Sequence, residues 1–206
     1  MKNNETIVFG GGCFWCTEAV FTMLRGVISV EPGYTGGETQ HPTYEQICTG
    51  KTGHAEVIKI VYDSAVIAVR DLLTVFFATH DPSQLNRQGN DVGTQYRSAV
   101  FYTTDGQREE AQKIIKEIDA EPRMDPGSDS QRPRRDSAES GMTQVSGKVV
   151  TEVTLLGVFW PAENYHKDYF AKNPEQGYCQ IVINPKVAKV QERFAELLRV
   201  KSSSSS

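Results

Sequence analysis

The sequence predicts an α/β or α+β domain built on a mixed β-sheet. Two observations carry this reading. Runs of β-forming residues alternate with runs of helical period along most of the chain. With 206 residues, of which 38% are hydrophobic and 23% charged, the chain is long and apolar enough to bury a core without disulfide staples.

The elements follow in order. Residues 5–9 form a short β-rich run that ends in three glycines at 10–12. From Cys13 onward Phe14, Trp15, Val20, Phe21 and Leu24 recur at helical spacing, so the chain opens as strand, glycine turn, helix. Residues 27–30 read as a second strand running into PGYTGG. HPTYEQICTG at 41–50 predicts a short helix closed by Gly50. HAEVIKIVYD at 54–63 alternates as a strand does, and VRDLLTVFFATH at 69–80 is helical. DPSQLNRQGNDVGTQ at 81–95 is a long polar loop, and such loops inside a compact domain usually serve function. A strand at 97–103, a helix at 104–119, a strand at 148–157, a helical segment at 161–173 and a helix at 184–199 complete the pattern.

The segment 121–147, EPRMDPGSDSQRPRRDSAESGMTQVSG, breaks it. It is rich in proline, serine and charge and nearly lacks large apolar residues, so it is expected to be a disordered insertion in a single domain spanning 1–198. Arg132, Arg134 and Arg135 read as part of that solvated loop rather than as a docking patch. Residues 199–206 are a serine-rich tail with no predicted role.

A net charge of −4 gives no electrostatic case for nucleic acid or anionic membranes. No apolar run reaches membrane-span length, and MKNNETIVFG lacks a signal core, so a cytoplasmic protein with reduced cysteines is expected. Four cysteines there point to redox, catalytic or metal roles, or to small buried residues.

GGGCFWC at 10–16 is the stretch with the most chemistry. Cysteine at a helix start meets unpaired N–H groups and the positive end of the helix dipole, which favour thiolate. Three readings compete. Cys13 and Cys16 can be a general disulfide oxidoreductase pair, although Phe-Trp between them and a single preceding strand fit that poorly. They can be half of a metal site in a cysteine-rich binding module, but no second CxxC exists and His41, His54, His80 and His166 are scattered. Or Cys13 is a lone nucleophile.

The whole chain resembles the type A peptide methionine sulfoxide reductases. The resemblance rests on GCFWC at 12–16, GYTGG at 33–37, PTYEQICTG at 42–50 and TGHAEVIKIVYD at 52–63. It continues through HDPSQLNRQGNDVGTQYRS at 80–98, AENYHKDYF at 162–170 and NPEQGYC at 173–179. It implies a two-layer α/β sandwich with a mixed central sheet and a coiled C-terminal segment. The implied activity is reduction of methionine-S-sulfoxide, free or in proteins, in repair of oxidative damage. The implied reductant is thioredoxin, or dithiothreitol in vitro. The implied protein is a monomer with no bound cofactor or metal; no GxGxxG follows a strand here.

The resemblance also implies site residues. Cys13 matches the nucleophile that becomes a sulfenic acid, and Glu56 matches the acid, which burial must keep protonated. Tyr44 and Tyr96 match hydrogen-bond donors to the sulfoxide oxygen, and Asp91 a carboxylate that positions water or the acid. Phe14 and Trp15 match the pocket for the substrate methyl group, and His166 and Tyr169 lie in a segment near the site. Cys179 matches the resolving cysteine, with Cys16 as competitor, since many relatives carry glycine there. Cys48 is expected to be a buried, inert thiol on the apolar side of its helix.

Overall fold

A computed structural model describes residues 3–121 and 147–199. Its strands are β1 (Asn4–Gly11), β2 (Val27–Thr35), β3 (Ala55–Asp63), β4 (Arg87–Gln88), β5 (Asp91–Val92), β6 (Ser98–Tyr102), β7 (Glu152–Leu155) and β8 (Trp160–Pro161). Its α-helices are α1 (Phe14–Phe21), α2 (Tyr44–Cys48), α3 (Val69–Thr79), α4 (Asp105–Ala120), α5 (Tyr169–Lys172) and α6 (Asn184–Arg193).

Six strands form one sheet in the order β7-β6-β1-β3-β2-β8. All its pairs are antiparallel except β6 with β7, so the sheet is mixed. Side-chain alternation sorts the strands into two faces. Ile7, Phe9, Ile58, Ile60 and Tyr62 point into the main core, against Phe21 of α1, Phe76 of α3 and Ile114 of α4. Val8, Ala55, Val57, Ala99 and Phe101 face the other way and are covered by Leu156 and Phe159. Helices thus pack on one face and a short coiled segment closes the other.

The period-2 and period-3.6 patterns place the elements, but their ends shift. The second strand extends through PGYT rather than stopping at 30. The helix at 13–24 is shorter, and the long loop at 81–95 contains the β4–β5 hairpin. The segment at 161–173 is broken into a 3₁₀ turn, Asn164–His166, and α5, because Asp168 takes a left-handed conformation between them. A π-helix, Cys179–Ile183, precedes α6 and opens on the buried Cys179. The expectations for 121–147, apart from its two end residues, and for the serine tail lie outside the described residues. Among the described residues no helix is long and apolar enough to cross a membrane.

Candidate active site

The site forms where β1 meets α1. Gly12 has φ 87°, a conformation open to glycine, and its missing side chain leaves room for Gln88, which an added Cβ would approach to 2.7 Å. The turn delivers Cys13 to the N-cap of α1, half-buried and with no capping hydrogen bond from its side chain.

Strand alternation places Glu56 on the helix-facing side of β3, in phase with Ile58 and Ile60. There it is 2% exposed, and its Oε2 accepts from the Phe14 N–H at 3.3 Å. That N–H is one of the unpaired donors of the helix start. Burial pushes the Glu56 carboxyl up to about 8, over the opposing effect of this hydrogen bond, and the charges of Asp91 and Cys16 push the same way. Glu56 therefore carries a proton at neutral pH.

Cys13 and Cys16 share a hydrogen bond across the first turn of α1 and titrate as a pair. The first proton leaves easily: the Cys13 donor brings Cys16 down to about 6, against burial and with help from Lys186. The second is held well above the ordinary thiol range by the same hydrogen bond, by burial and by Glu56. This corrects the expectation that a helix start alone would make Cys13 the thiolate. An eight-residue helix offers a weak dipole, and its neighbours outweigh it.

Thr43 caps α2 by a reciprocal capping box with Gln46, which sets Tyr44 at the first helical position. The Tyr44 and Tyr96 hydroxyls both titrate far above the usual phenol range, first through burial and then through the charge of Glu56. Both are neutral donors next to the carboxyl. Cys48 lies one turn beyond Tyr44, adds to the rise of its hydroxyl after burial and Glu56, and is exposed. It is not the buried thiol the sequence suggests: Ile47 takes the core position of α2 instead.

Aromatic rings close the site. Trp15 stacks on Tyr169 with ring centroids 3.6 Å apart, and its Nε1–H donates to His166 Nδ1 at 3.1 Å. His166 is fully buried, 4.8 Å from the Phe14 ring and 4.5 Å from the Tyr44 ring, and burial pulls its pKa down. Its Nε2 lies 3.8 Å from Glu163 Oε2. Glu163 in turn accepts from the Tyr34 hydroxyl at 2.9 Å and the Tyr44 N–H at 2.8 Å. Burial works against its charge, but these two donors win and hold it below the ordinary carboxylate range.

Cys179 is fully buried with Cys16, Ile183 and Val187, and Cys13 packs on the edge of this cluster. The hydroxyl of Tyr178 lies 3.7 Å from Cys16 Sγ and donates to Asp91 Oδ2 at 3.4 Å. All the predicted site residues therefore meet around one helix start. Among the described residues, no group of three or more His, Cys, Asp or Glu is arranged to hold a metal ion. The groove along α4, beside Arg70, Gln107, Glu110 and Lys113, contains no thiol.

The family model described as peptide methionine sulfoxide reductase matches residues 5–127 and 127–198. The chain belongs to the peptide methionine sulfoxide reductase family. It is 48% identical over 195 residues to the peptide methionine sulfoxide reductase MsrA of Chromobacterium violaceum, covering 95% of this chain and 99% of that one. It is 44% identical over 196 residues to the MsrA of Saccharolobus solfataricus, covering 95% and 98%. Two solved structures share the fold. Reduced Mxr1 of Saccharomyces cerevisiae has a TM-score of 0.69 at 30% identity, over 86% of this chain and 90% of that one. Methionine sulfoxide reductase A of Corynebacterium diphtheriae has a TM-score of 0.69 at 32% identity, over 85% and 78%.

In this peptide methionine sulfoxide reductase, the sequence reading missed Tyr178, Glu163 and Tyr34. Tyr178 carried a signal, an aromatic directly before Cys179 in NPEQGYC. Glu163 carried a weaker one, three residues before His166.

Proposed function

We propose that the protein reduces methionine-S-sulfoxide, free or within proteins, to methionine, with Cys13 as nucleophile and Glu56 as acid. The observation that carries this reading is a buried carboxyl, protonated at neutral pH, hydrogen-bonded to the residue beside a half-buried thiol. A sulfoxide oxygen leaves poorly unless protonated, so the reaction needs an acid beside a soft nucleophile. The substrate methyl group sits against Trp15 and the edge of Phe14, and the oxygen faces Glu56, Tyr44 and Tyr96. Asp91 keeps the proton on Glu56 by its charge.

Cys13 sulfur attacks the sulfoxide sulfur and an S–S bond forms; the Glu56 proton and the thiol proton pass to the oxygen, and the S–O bond breaks with loss of water. Water then attacks Cys13 sulfur and returns a proton to Glu56, the S–S bond breaks, and methionine leaves. Cys13 keeps the new oxygen as a sulfenic acid, so the thiol is oxidised as the sulfoxide is reduced. A second thiol, Cys16 or Cys179, condenses with the sulfenic acid to give a disulfide and water. Thioredoxin then returns the disulfide to two thiols by exchange. We assign no bound cofactor or metal to the cycle and place the protein in the cytoplasm as a monomer, one domain with an insertion at 121–147. A general disulfide oxidoreductase built on Cys13 and Cys16 would have no use for a protonated Glu56 flanked by two phenols.

The test gives purified protein both epimers of a methionine sulfoxide peptide with dithiothreitol or thioredoxin. Only the S epimer should disappear. Persistence of both epimers, or full activity of Cys13→Ser, overturns the reading.

A further inference from the structure

The turn that carries Tyr96 is too short to hold itself. Thr94–Tyr96 is a single 3₁₀ turn, and the hydrogen bonds of such turns are poorly aligned. Gly93 opens it at φ 146°, and the Tyr96 N–H donates back to the Gly93 carbonyl at 3.0 Å. On one side Thr94 Oγ1 donates to the Gly50 carbonyl at 3.2 Å, just past α2, the helix that carries Tyr44. The other side is held by the next residue, Arg97.

Arg97 is 8% exposed, and its guanidinium joins three segments. Nη1 donates to the Thr94 carbonyl at 2.9 Å, Nε to Glu152 Oε2 at 3.0 Å and Nη2 to the Gly36 carbonyl at 3.4 Å. The Thr94 carbonyl accepts a second time, from the Arg97 backbone N–H at 3.3 Å, so main chain and side chain close on one oxygen. The β6–β7 register sets Ala99 opposite Glu152, which brings that carboxylate beside the start of β6. Gly36 has φ 83°, and a Cβ added there would come to 2.7 Å from Arg97 Nη2. The glycine thus leaves room for the guanidinium. A rigid planar fork reaches acceptors on three sides at once, which an ammonium on a flexible stem does not.

We propose that Arg97 is a positioning residue for the reaction: together with Glu152 it locks the Thr94–Tyr96 turn so that the Tyr96 hydroxyl stands where the sulfoxide oxygen arrives. The proposal rests on the sulfoxide-reductase reading above. Arg97 acts through Tyr96 and touches no substrate atom. A misplacement of about 1 Å in a reacting group costs about 10²-fold in rate, so a loosened turn is felt in the chemistry. The Tyr96 donor matters most as charge develops on the departing oxygen, so the loss falls on the rate and not on the affinity. The methyl pocket of Phe14 and Trp15 lies outside the hydrogen bonds that Arg97 makes.

The test follows methionine release in a single turnover of the full chain, without reductant, over a range of concentrations of a methionine-S-sulfoxide peptide. Arg97→Lys keeps a cation but not the fork. Its saturating rate should fall at least about fivefold, and no further than the ten- to hundredfold expected of Tyr96→Phe. Its half-saturating concentration should stay within about twofold of wild type. In a Tyr96→Phe background the same substitution should cost less than about twofold, since the group it positions is gone. Circular dichroism checks that each variant is folded. A folded Arg97→Lys with a rate within about twofold of wild type overturns the proposal. So does a loss as large in the Tyr96→Phe background, or one carried by the half-saturating concentration alone. If Arg97→Lys does not fold, Glu152→Ala decides the matter, because Glu152 has a 53% exposed side chain on an edge strand. Its rate should fall by about two- to fivefold, and an unchanged rate, or a fall that persists in Tyr96→Phe, overturns the proposal. If the wild type itself releases no methionine, the sulfoxide reading is what fails.

Discussion

Glu56→Gln tests the acid directly. The substitution keeps the shape and the acceptor for the Phe14 N–H but removes the proton. An ordinary carboxyl of pKa 4.5 is protonated in about one molecule in 300 at pH 7, whereas one at about 8 is protonated in about ten of eleven. Burial therefore raises the supply of acid by a factor of about 300. The amide has no such proton, so methionine release in a single turnover should fall by about 10²–10⁴-fold. The alkaline limb of the wild-type pH profile, centred near 8, should vanish with it. Stability gives an independent readout. The folded pKa lies above the unfolded one, so Glu56 stabilises the fold below pH 4.5, and this is lost as pH rises through 8. The loss is about 3 kcal/mol by pH 7, so the glutamine variant should melt higher than the wild type at pH 7–8, with the gap closing toward pH 4.5. A rate within about threefold of wild type, or an alkaline limb that survives in the variant, refutes the assignment of Glu56 as acid.

Three further outcomes are expected. Tyr44→Phe and Tyr96→Phe each remove one neutral donor, so each should lower kcat by about ten- to a hundredfold in steady-state assays, with KM little changed. His80 is buried between the Phe76 carbonyl and the Ser98 hydroxyl, each 2.7 Å away, and burial brings its pKa down from 6.5 to about 4. Its folded pKa is depressed, so the stability it contributes is full above pH 6.5 and falls by about 3 kcal/mol toward pH 4; acid melting curves of His80→Asn should lack that drop. Cys48 is exposed beside the Tyr44 hydroxyl, so limited alkylation should label it early and slow methionine release, and Cys48→Ala should be insensitive to that early phase.

How far the sequence foretells the site depends on which period governs each residue. Glu56 is legible because period-2 alternation puts it in phase with Ile58 and Ile60, facing the helices. Cys13 is legible because glycines before a helical pattern force a turn there. Cys48 is misread because five residues are too few to show which face of α2 is apolar. Tyr44 and Cys48 are four apart and share a face, so once Tyr44 turns to the site Cys48 must follow it. Tyr178, Glu163 and Tyr34 act through contacts more than 80 residues away in sequence. No local pattern encodes such partners. The segment 161–173 is read as helical because its composition allows a helix, but the left-handed turn at Asp168 breaks it. Glu18, buried on α1, holds that break by accepting from the Asp168 N–H at 2.9 Å.

The protonation states explain why the thiols and the carboxyl belong in one buried place. The reaction needs a thiolate and an acid at the same pH, an inversion of their ordinary order, since a free thiol loses its proton near 8.5 and a free carboxyl near 4.3. Here the Cys13–Cys16 pair loses its first proton at about 6, leaving one negative charge between the nucleophile and its neighbour, while burial holds the carboxyl proton to about 8. The two changes support each other, because the negative charge on Cys16 helps to keep the proton on Glu56. Ionising the thiol thus strengthens the acid's hold on its proton until a substrate oxygen arrives to take it. Activity should therefore be bell-shaped, rising near pH 6 and falling near pH 8. Removing Cys16 should move the rising limb to higher pH, because the sulfur that gives up the first proton is gone and burial and Glu56 still hold the Cys13 thiol up.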